Sequence, residues 1–162
     1  MRFGFNQLER LLAKHHQTFY ISALSITKNR AAAEDAVHEA LLSVSALTSD
    51  VDDLKAYVFK VIRNKAKRYV GQSARLVAAD TVTEIIDSAS MAHEDSVFLE
   101  QMLRHIEVLD KETQQVIIMK LFAGLTFNEI AEVMARSVNT VASWYRRGIS
   151  QLQEKLNEAN EK

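Results

Sequence analysis

The sequence predicts an all-α protein made of two small helical domains joined by a flexible acidic linker. Three observations carry that prediction. Apolar residues recur at three- and four-residue spacing through most of the chain, the period of a helix with one buried face. The 162 residues include no Pro and only four Gly, too few turn formers for a sandwich or barrel. Charge is also partitioned along the chain. Residues 1–75 hold 12 basic and 7 acidic side chains, residues 76–95 hold no basic and 5 acidic ones (Asp80, Glu84, Asp87, Glu94, Asp95), and residues 96–162 hold 8 and 9. A basic block, an acidic connector and a near-neutral block imply a first domain over residues 1–73, a linker over 74–95 and a second domain over 96–162.

The first helix is set by Leu8, Leu11, Leu12, His15 and Phe19, and its pattern extends to Ile26. Thr27-Lys28-Asn29-Arg30 breaks it. A second helix covers about Ala31–Leu47 with Ala33, Val37, Ala40, Leu41, Val44 and Leu47 facing inward. Thr48–Asp53 is a polar loop, and Asp52 or Asp53 can cap the next helix, Leu54–Val70. That third helix buries Leu54, Val58, Val61, Ile62 and Tyr69. At 100° per residue, Ala56, Lys60, Arg63, Asn64 and Lys67 fall on the opposite side, so the basic residues form one face. Lys65 lies near the apolar midline and must snorkel out. Gly71 to about Ala92 lacks periodicity apart from Val82-Ile85-Ile86 and fits the linker. Helices follow at about Ser96–Leu109 and Lys111–Phe122, the latter closed by Gly124.

The segment after Gly124 is the most informative. Thr126 and Glu129 form a capping box that opens a short helix, Phe127 to about Met134. Ala135-Arg136-Ser137 is a tight turn, with Ser137 the N-cap of a last helix. Val138, Val141, Tyr145, Ile149, Leu152 and Leu156 give that helix one apolar stripe. Asn139, Thr140, Ser143, Arg146 and Arg147 face away from it, with Ala142 and Trp144 flanking. A short helix, a three-residue turn and a helix presenting Asn, Thr, Ser and Arg form a helix-turn-helix. Arginine can grip guanine or phosphate, and the small polar groups suit base edges and backbone. Ser143, mid-face and small, lets such a helix sink into a major groove. No acid occurs between Leu54 and Leu76 or between Glu132 and Glu154, so two basic windows are available to a polyanion. Two solvated helix faces would give the same charge pattern.

Other chemistries are poorly served. The absence of Cys removes disulfides, thiolate zinc sites and thiol catalysis, and fits a reducing, intracellular compartment. No apolar run approaches the roughly 20 residues of a membrane span, and the start lacks a signal-peptide core. His15 and His16 are adjacent and point to different faces, while His38, His93 and His105 lack metal-ligand spacing. Glycine-rich phosphate loops and serine nucleophile elbows are missing. The expectation is a non-enzyme with no cofactor and no metal.

The whole chain apart from the connector resembles a group-four, or extracytoplasmic function (ECF), sigma factor of bacterial RNA polymerase. The run LDKETQQVIIMKLFAGLTFNEIAEVMARSVNTVASWYRRGISQL is similar to sigma region 4. AEDAVHEALLSV and LKAYVFKVIRNKAKRY are similar to two helices of region 2. The resemblance implies that Glu34, Asp35, Glu39 and Leu42 grip core polymerase. The helical wheel agrees, placing Asp35, Glu39 and Leu42 opposite the inward stripe. It implies that Lys60, Arg63, Asn64, Lys67 and Arg68 recognise and melt the −10 element, with Thr48–Asp53 capturing an unstacked base. Opening a duplex needs cations for phosphate and a surface or pocket for the freed strand. Tyr57 stands where many members carry Trp, and Tyr57 and Phe59 are better placed for packing at the core edge than for stacking on a base.

The resemblance further implies that Arg136, Ser137, Asn139, Thr140, Ser143, Arg146 and Arg147 bind the −35 element. Ala142 and Trp144 replace basic residues common there, which predicts a shallower salt dependence, and Trp144 is assigned to packing. The implied partners are core RNA polymerase, promoter DNA and a cognate anti-sigma factor, in the bacterial cytoplasm. The function expected is promoter recognition and initiation of DNA-templated transcription. The alternatives are a helix-turn-helix regulator that binds DNA without engaging polymerase and a helical interaction adaptor.

Overall fold

A computed structural model describes residues 5–47, 51–73 and 94–160. Among these residues the chain is helical with no strand. The helices are α1 (Phe5–Thr27), α2 (Arg30–Ser45), α3 (Leu54–Ser73), α4 (Glu94–Ile106), α5 (Lys111–Ile117), α6 (Phe127–Met134) and α7 (Val138–Asn160). Most of the expected linker, with Asp80, Glu84, Asp87 and the Val82-Ile85-Ile86 patch, lies outside the described residues, as do Thr48–Asp50 and His93. At its flanks the helices run further than expected: α3 takes in Gly71 and reaches Ser73, and α4 begins at Glu94.

Helices α1, α2 and α3 form the first domain. Its centre is Phe19 against Phe59, ring centroids 4.8 Å apart in an edge-to-face pair, with Val44, Val58 and Ile62 fully buried. Phe59 is therefore core and not a stacking surface, while Tyr57 is half-buried. Backbone chemistry fixes the junctions. Lys28 adopts a left-handed φ of 56° at the end of α1, and the Asn29 side chain accepts from the Ala32 amide at 3.0 Å to start α2. Asp53 accepts from the Ala56 amide at 3.1 Å and starts α3.

Helices α4 to α7 form the second domain. Asp110 caps α5 by accepting from the Thr113 amide at 2.8 Å. Where one helix was expected to continue to Phe122, α5 widens into a π-helical turn over Ile118–Phe122, and Ala123 N–H donates to the Ile118 carbonyl at 3.2 Å. Gly124 then reverses the chain at φ 71°. Helix α7 crosses α5 at Gly148. A Cβ there would stand 2.6 Å from Thr113 Cγ2, so only glycine permits this approach.

The two domains pack directly on each other, and their buried apolar residues form one continuous cluster. Helix α1 meets α4, α5 and the π turn, while α3 meets α6. This explains two departures from the sequence pattern. Phe19 to Ser25 is buried all round, because both domains cover the end of α1. Ala56, expected on the open face of α3, is buried because α6 lies over that side.

Candidate nucleic-acid interface

The helix-turn-helix is built by local hydrogen bonds. Thr126 N–H donates to Glu129 Oε1 at 2.8 Å and Glu129 N–H donates to Thr126 Oγ1 at 3.1 Å, a complete capping box. Helix α6 ends on Ala135 in the left-handed region (φ 54°, ψ 46°), and Arg136 N–H closes onto the Ala131 carbonyl at 3.1 Å. A residue with a Cβ is strained by about 1–2 kcal/mol in this conformation, and the turn retains it because these bonds fix the angle between α6 and α7. Ser137 Oγ accepts from the Thr140 amide at 3.1 Å and also meets Thr140 Oγ1 at 2.8 Å.

Along α7, Asn139, Ser143, Arg146 and Arg147 are exposed and Thr140 is half-buried; Arg136 and Ser137 are exposed at the turn. Arg136 lies over the Trp144 ring, 6.0 Å from its centroid, and Trp144 is half-buried against the core. The apolar stripe is shallower than its spacing suggested. Val141 is fully buried, but Val138 is 39% and Leu156 61% exposed, because α7 extends past the helices that cover it.

On α3, Lys60, Asn64 and Lys67 are exposed as the wheel predicts, and Arg68, which the wheel did not place on that face, is exposed as well. Arg63 is not. Its side chain is only 11% exposed and its guanidinium lies 3.2 Å from Glu112 of α5. Arg147 of α7 is also paired, 3.6 Å from Asp110, but remains 53% exposed. Burial alone would raise the Asp110 carboxyl; the Thr113 amide and side chain, then Arg147, outweigh it and hold Asp110 below the usual carboxylate range.

On α2, Asp35, Glu39 and Leu42 are exposed and Glu34 is half-buried. Leu42 is 57% exposed, costly on a bare solvent face and suited to a partner. Beside it runs a groove of about 560 Å³ lined by Leu12, His16, Tyr20, Glu34, Asp35 and Leu41, among others. Burial, then the Glu100 carboxylate, pushes the Tyr20 phenol up to about 12, so it stays a neutral hydroxyl at the groove floor. His15 is buried, and burial followed by Lys55 and Lys14 lowers its pKa.

Comparison with known proteins decides the family. Residues 11–76 match the family model for sigma-70 region 2, and residues 99–152 match that for sigma-70 region 4, in this order along the chain. The RNA polymerase sigma factor SigV of Bacillus subtilis (strain 168) is 25% identical over 148 residues, spanning 90% of this chain and 88% of the relative.

The chain belongs to the sigma-70 family.

It is thus a transcription initiation factor, the subunit that joins core RNA polymerase and directs it to promoter DNA. Two solved structures share the fold. RpoE of Bartonella quintana, in complex with the anti-sigma factor NepR, aligns with a TM-score of 0.64 at 21% identity, covering 94% of this chain and 98% of that one. CnrH, in complex with the cytosolic domain of CnrY, aligns with a TM-score of 0.66 at 19% identity, covering 96% and 90%. Among the described residues of this sigma factor, no group of three or more His, Asp or Glu could hold a metal ion, and no helix is long and apolar enough to cross a membrane. The sequence pattern missed the residues that join the two halves: Arg30, Glu100, Glu112 and Gln115. Their partners lie far away in sequence, beyond the reach of any local period.

Proposed function

We propose that this sigma factor divides its contacts among three surfaces, within domains bounded at residues 1–73 and 96–162 and joined by the acidic 74–95 linker. The face of α7, with Arg136 and Ser137 at its start and Asn139, Thr140, Ser143, Arg146 and Arg147 along it, enters the −35 major groove. Lys60, Arg63, Asn64, Lys67 and Arg68 of α3 take the −10 strand as it opens. Glu34, Asp35, Glu39 and Leu42 of α2 hold core polymerase. The protein works in the cytoplasm, and a cognate anti-sigma factor is its further partner, a reading supported by the fold neighbour RpoE, solved with the anti-sigma factor NepR.

The observation that carries this reading is the exposed Asn139–Ser143–Arg146–Arg147 row on a helix oriented by a full capping box and an N-cap. Run-off transcription with purified core polymerase on a library of promoter fragments tests it. Arg146→Ala together with Arg147→Ala lowers specific transcript by about 30-fold or more, from about 1–3 kcal/mol for each of the two contacts, while core binding persists. Asp35→Lys with Leu42→Ala abolishes core binding but leaves DNA contacts alone. Retained core binding in that variant would place the polymerase contact on a surface other than this face of α2.

A further inference from the structure

Trp144 is the single tryptophan of the chain and stands beside, not within, the Val138–Val141–Tyr145–Ile149 stripe of α7. Its side chain is half-buried against the core, and Arg136 lies over the ring, the guanidinium carbon 6.0 Å from the centroid. The turn between α6 and α7 brings the two residues together. Ala135 reverses the chain in the left-handed region, and the Arg136 amide closes onto the Ala131 carbonyl at 3.1 Å. Ser137 then caps α7 by accepting from the Thr140 amide at 3.1 Å. The backbone of Arg136 is therefore fixed from both sides. Among the described residues its side chain makes no ion pair, whereas Arg30, Arg63 and Arg147 each hold a carboxylate. What this exposed arginine meets is an aromatic face.

A free arginine at the head of a DNA-reading helix samples many rotamers, and a phosphate contact must freeze them. An indole face removes part of that cost, because a planar cation is drawn to the ring quadrupole. Stacking occupies only the flat face of the guanidinium. Its five N–H donors lie in the plane and stay directed outward. A stacked arginine can thus still grip a phosphate through two parallel bonds. Tryptophan at 144 brings no charge of its own to DNA; it sets the charge of a neighbour.

We propose that Trp144 is a positioning residue for promoter binding, its ring holding the Arg136 guanidinium stacked at the entrance to α7 so that the fork meets a phosphate already ordered. The proposal rests on the assignment of Arg136 to the −35 element. The ring makes no phosphate contact, so its loss weakens binding without changing the number of counterions released. Loss of Arg136 changes both.

The test follows the anisotropy of a labelled mixed-sequence duplex of about 30 base pairs, titrated with the full chain at salt from about 50 to 200 mM. Arg136→Ala weakens binding and cuts the slope of log affinity against log salt by about one contact. Trp144→Leu weakens binding roughly two- to fivefold, the range of an exposed cation–π pair, and keeps the slope. In the Arg136→Ala background, Trp144→Leu costs nothing further. Because the tryptophan is unique, mono- and trifluorinated tryptophan supplied during growth enter at position 144 alone. Fluorine drains the ring face and nearly keeps its shape, so affinity falls as fluorines are added, and only when Arg136 is present. This series decides even if Trp144→Leu unfolds the turn. Equal losses from Trp144→Leu with and without Arg136, or a fluorine series with no trend, would reduce Trp144 to packing and overturn the proposal, leaving Arg136 on DNA. Unchanged affinity and slope in Arg136→Ala would take Arg136 off the DNA, and its −35 assignment would fail together with the positioning role.

Discussion

Helices α3 and α7 carry the two basic faces of the molecule, and they are seated in opposite ways. Helix α3 lies deep: Val58, Phe59 and Ile62 are fully buried on its inner side, Ala56 is buried beneath α6, and Arg63 is enclosed by its partner. Helix α7 sits shallow. Of its stripe only Val141 is fully buried, contact with α5 depends on the missing side chain of Gly148, and its arginines stay open to water. A cationic helical face is thus no guarantee of a free surface; what packs on the far side decides. The deep helix gains rigidity and loses access, while the shallow one keeps access and depends on a few close contacts.

The largest effect should come from breaking the deep seat. Phe59→Ala removes the ring paired with Phe19 and leaves a cavity at the centre of the first domain. The expected cost is about 3–5 kcal/mol, read as a lower urea midpoint. Amide exchange should show α1 and α3 losing protection together. A loss below about 1 kcal/mol would mean that the domain collapses around the gap and that α3 is not held as described.

The shallow seat is tested at Gly148. Alanine there drives a methyl into Thr113 Cγ2 at 2.6 Å and into Ile117 Cδ1 and Cγ1 at 3.3 Å. Overpacking of this kind costs about 1–3 kcal/mol, offset in part by the roughly 1 kcal/mol that alanine gains over glycine inside a helix. Gly148→Ala should therefore lower stability by about 1 kcal/mol and weaken duplex binding, since α7 is pushed off α5. Adding Thr113→Ser removes the clashing methyl but keeps the hydroxyl. The pair should recover the wild-type midpoint, and a failure to recover would place the constraint elsewhere.

The same contrast explains how much could be read from the sequence. Local chemistry was legible nearly to the residue: Thr126 with Glu129 and Ser137 cap the helices they were assigned to, Asp53 is the one of the two offered aspartates that caps α3, and α6 has the bounds predicted. The exposed positions of Asp35, Glu39, Leu42, Asn64, Ser143 and Arg146 also follow from a wheel. The wheel fails where an element is buried on two sides. Ala56 is small enough for solvent or for close approach, and periodicity cannot distinguish them. Arg63 looks like Lys60 in sequence, yet Glu112 covers one and not the other. The π turn at Ile118–Phe122 left no trace either, because four of its five residues are apolar and suit any helical register.

The smallest effect concerns the exposed arginine. Asp110 has its carboxyl held low in the folded chain, so its contribution to stability is fully present above the ordinary carboxylate range and is lost as pH falls through the folded value. Acidification from about pH 5 to pH 3 should therefore weaken the α5–α7 unit. Asp110→Asn keeps an oxygen that can cap α5 but gives up the charge facing Arg147. At neutral pH the cost should be about 0.5 kcal/mol, given how exposed the pair is. The difference between variant and parent should shrink as both are taken into acid, because the parent loses there what the variant never had. Equal spacing of the two urea midpoints from pH 7 to pH 3 would show that the charge on Asp110 contributes nothing to seating α7, leaving Gly148, Val141 and the apolar stripe beside them to hold it.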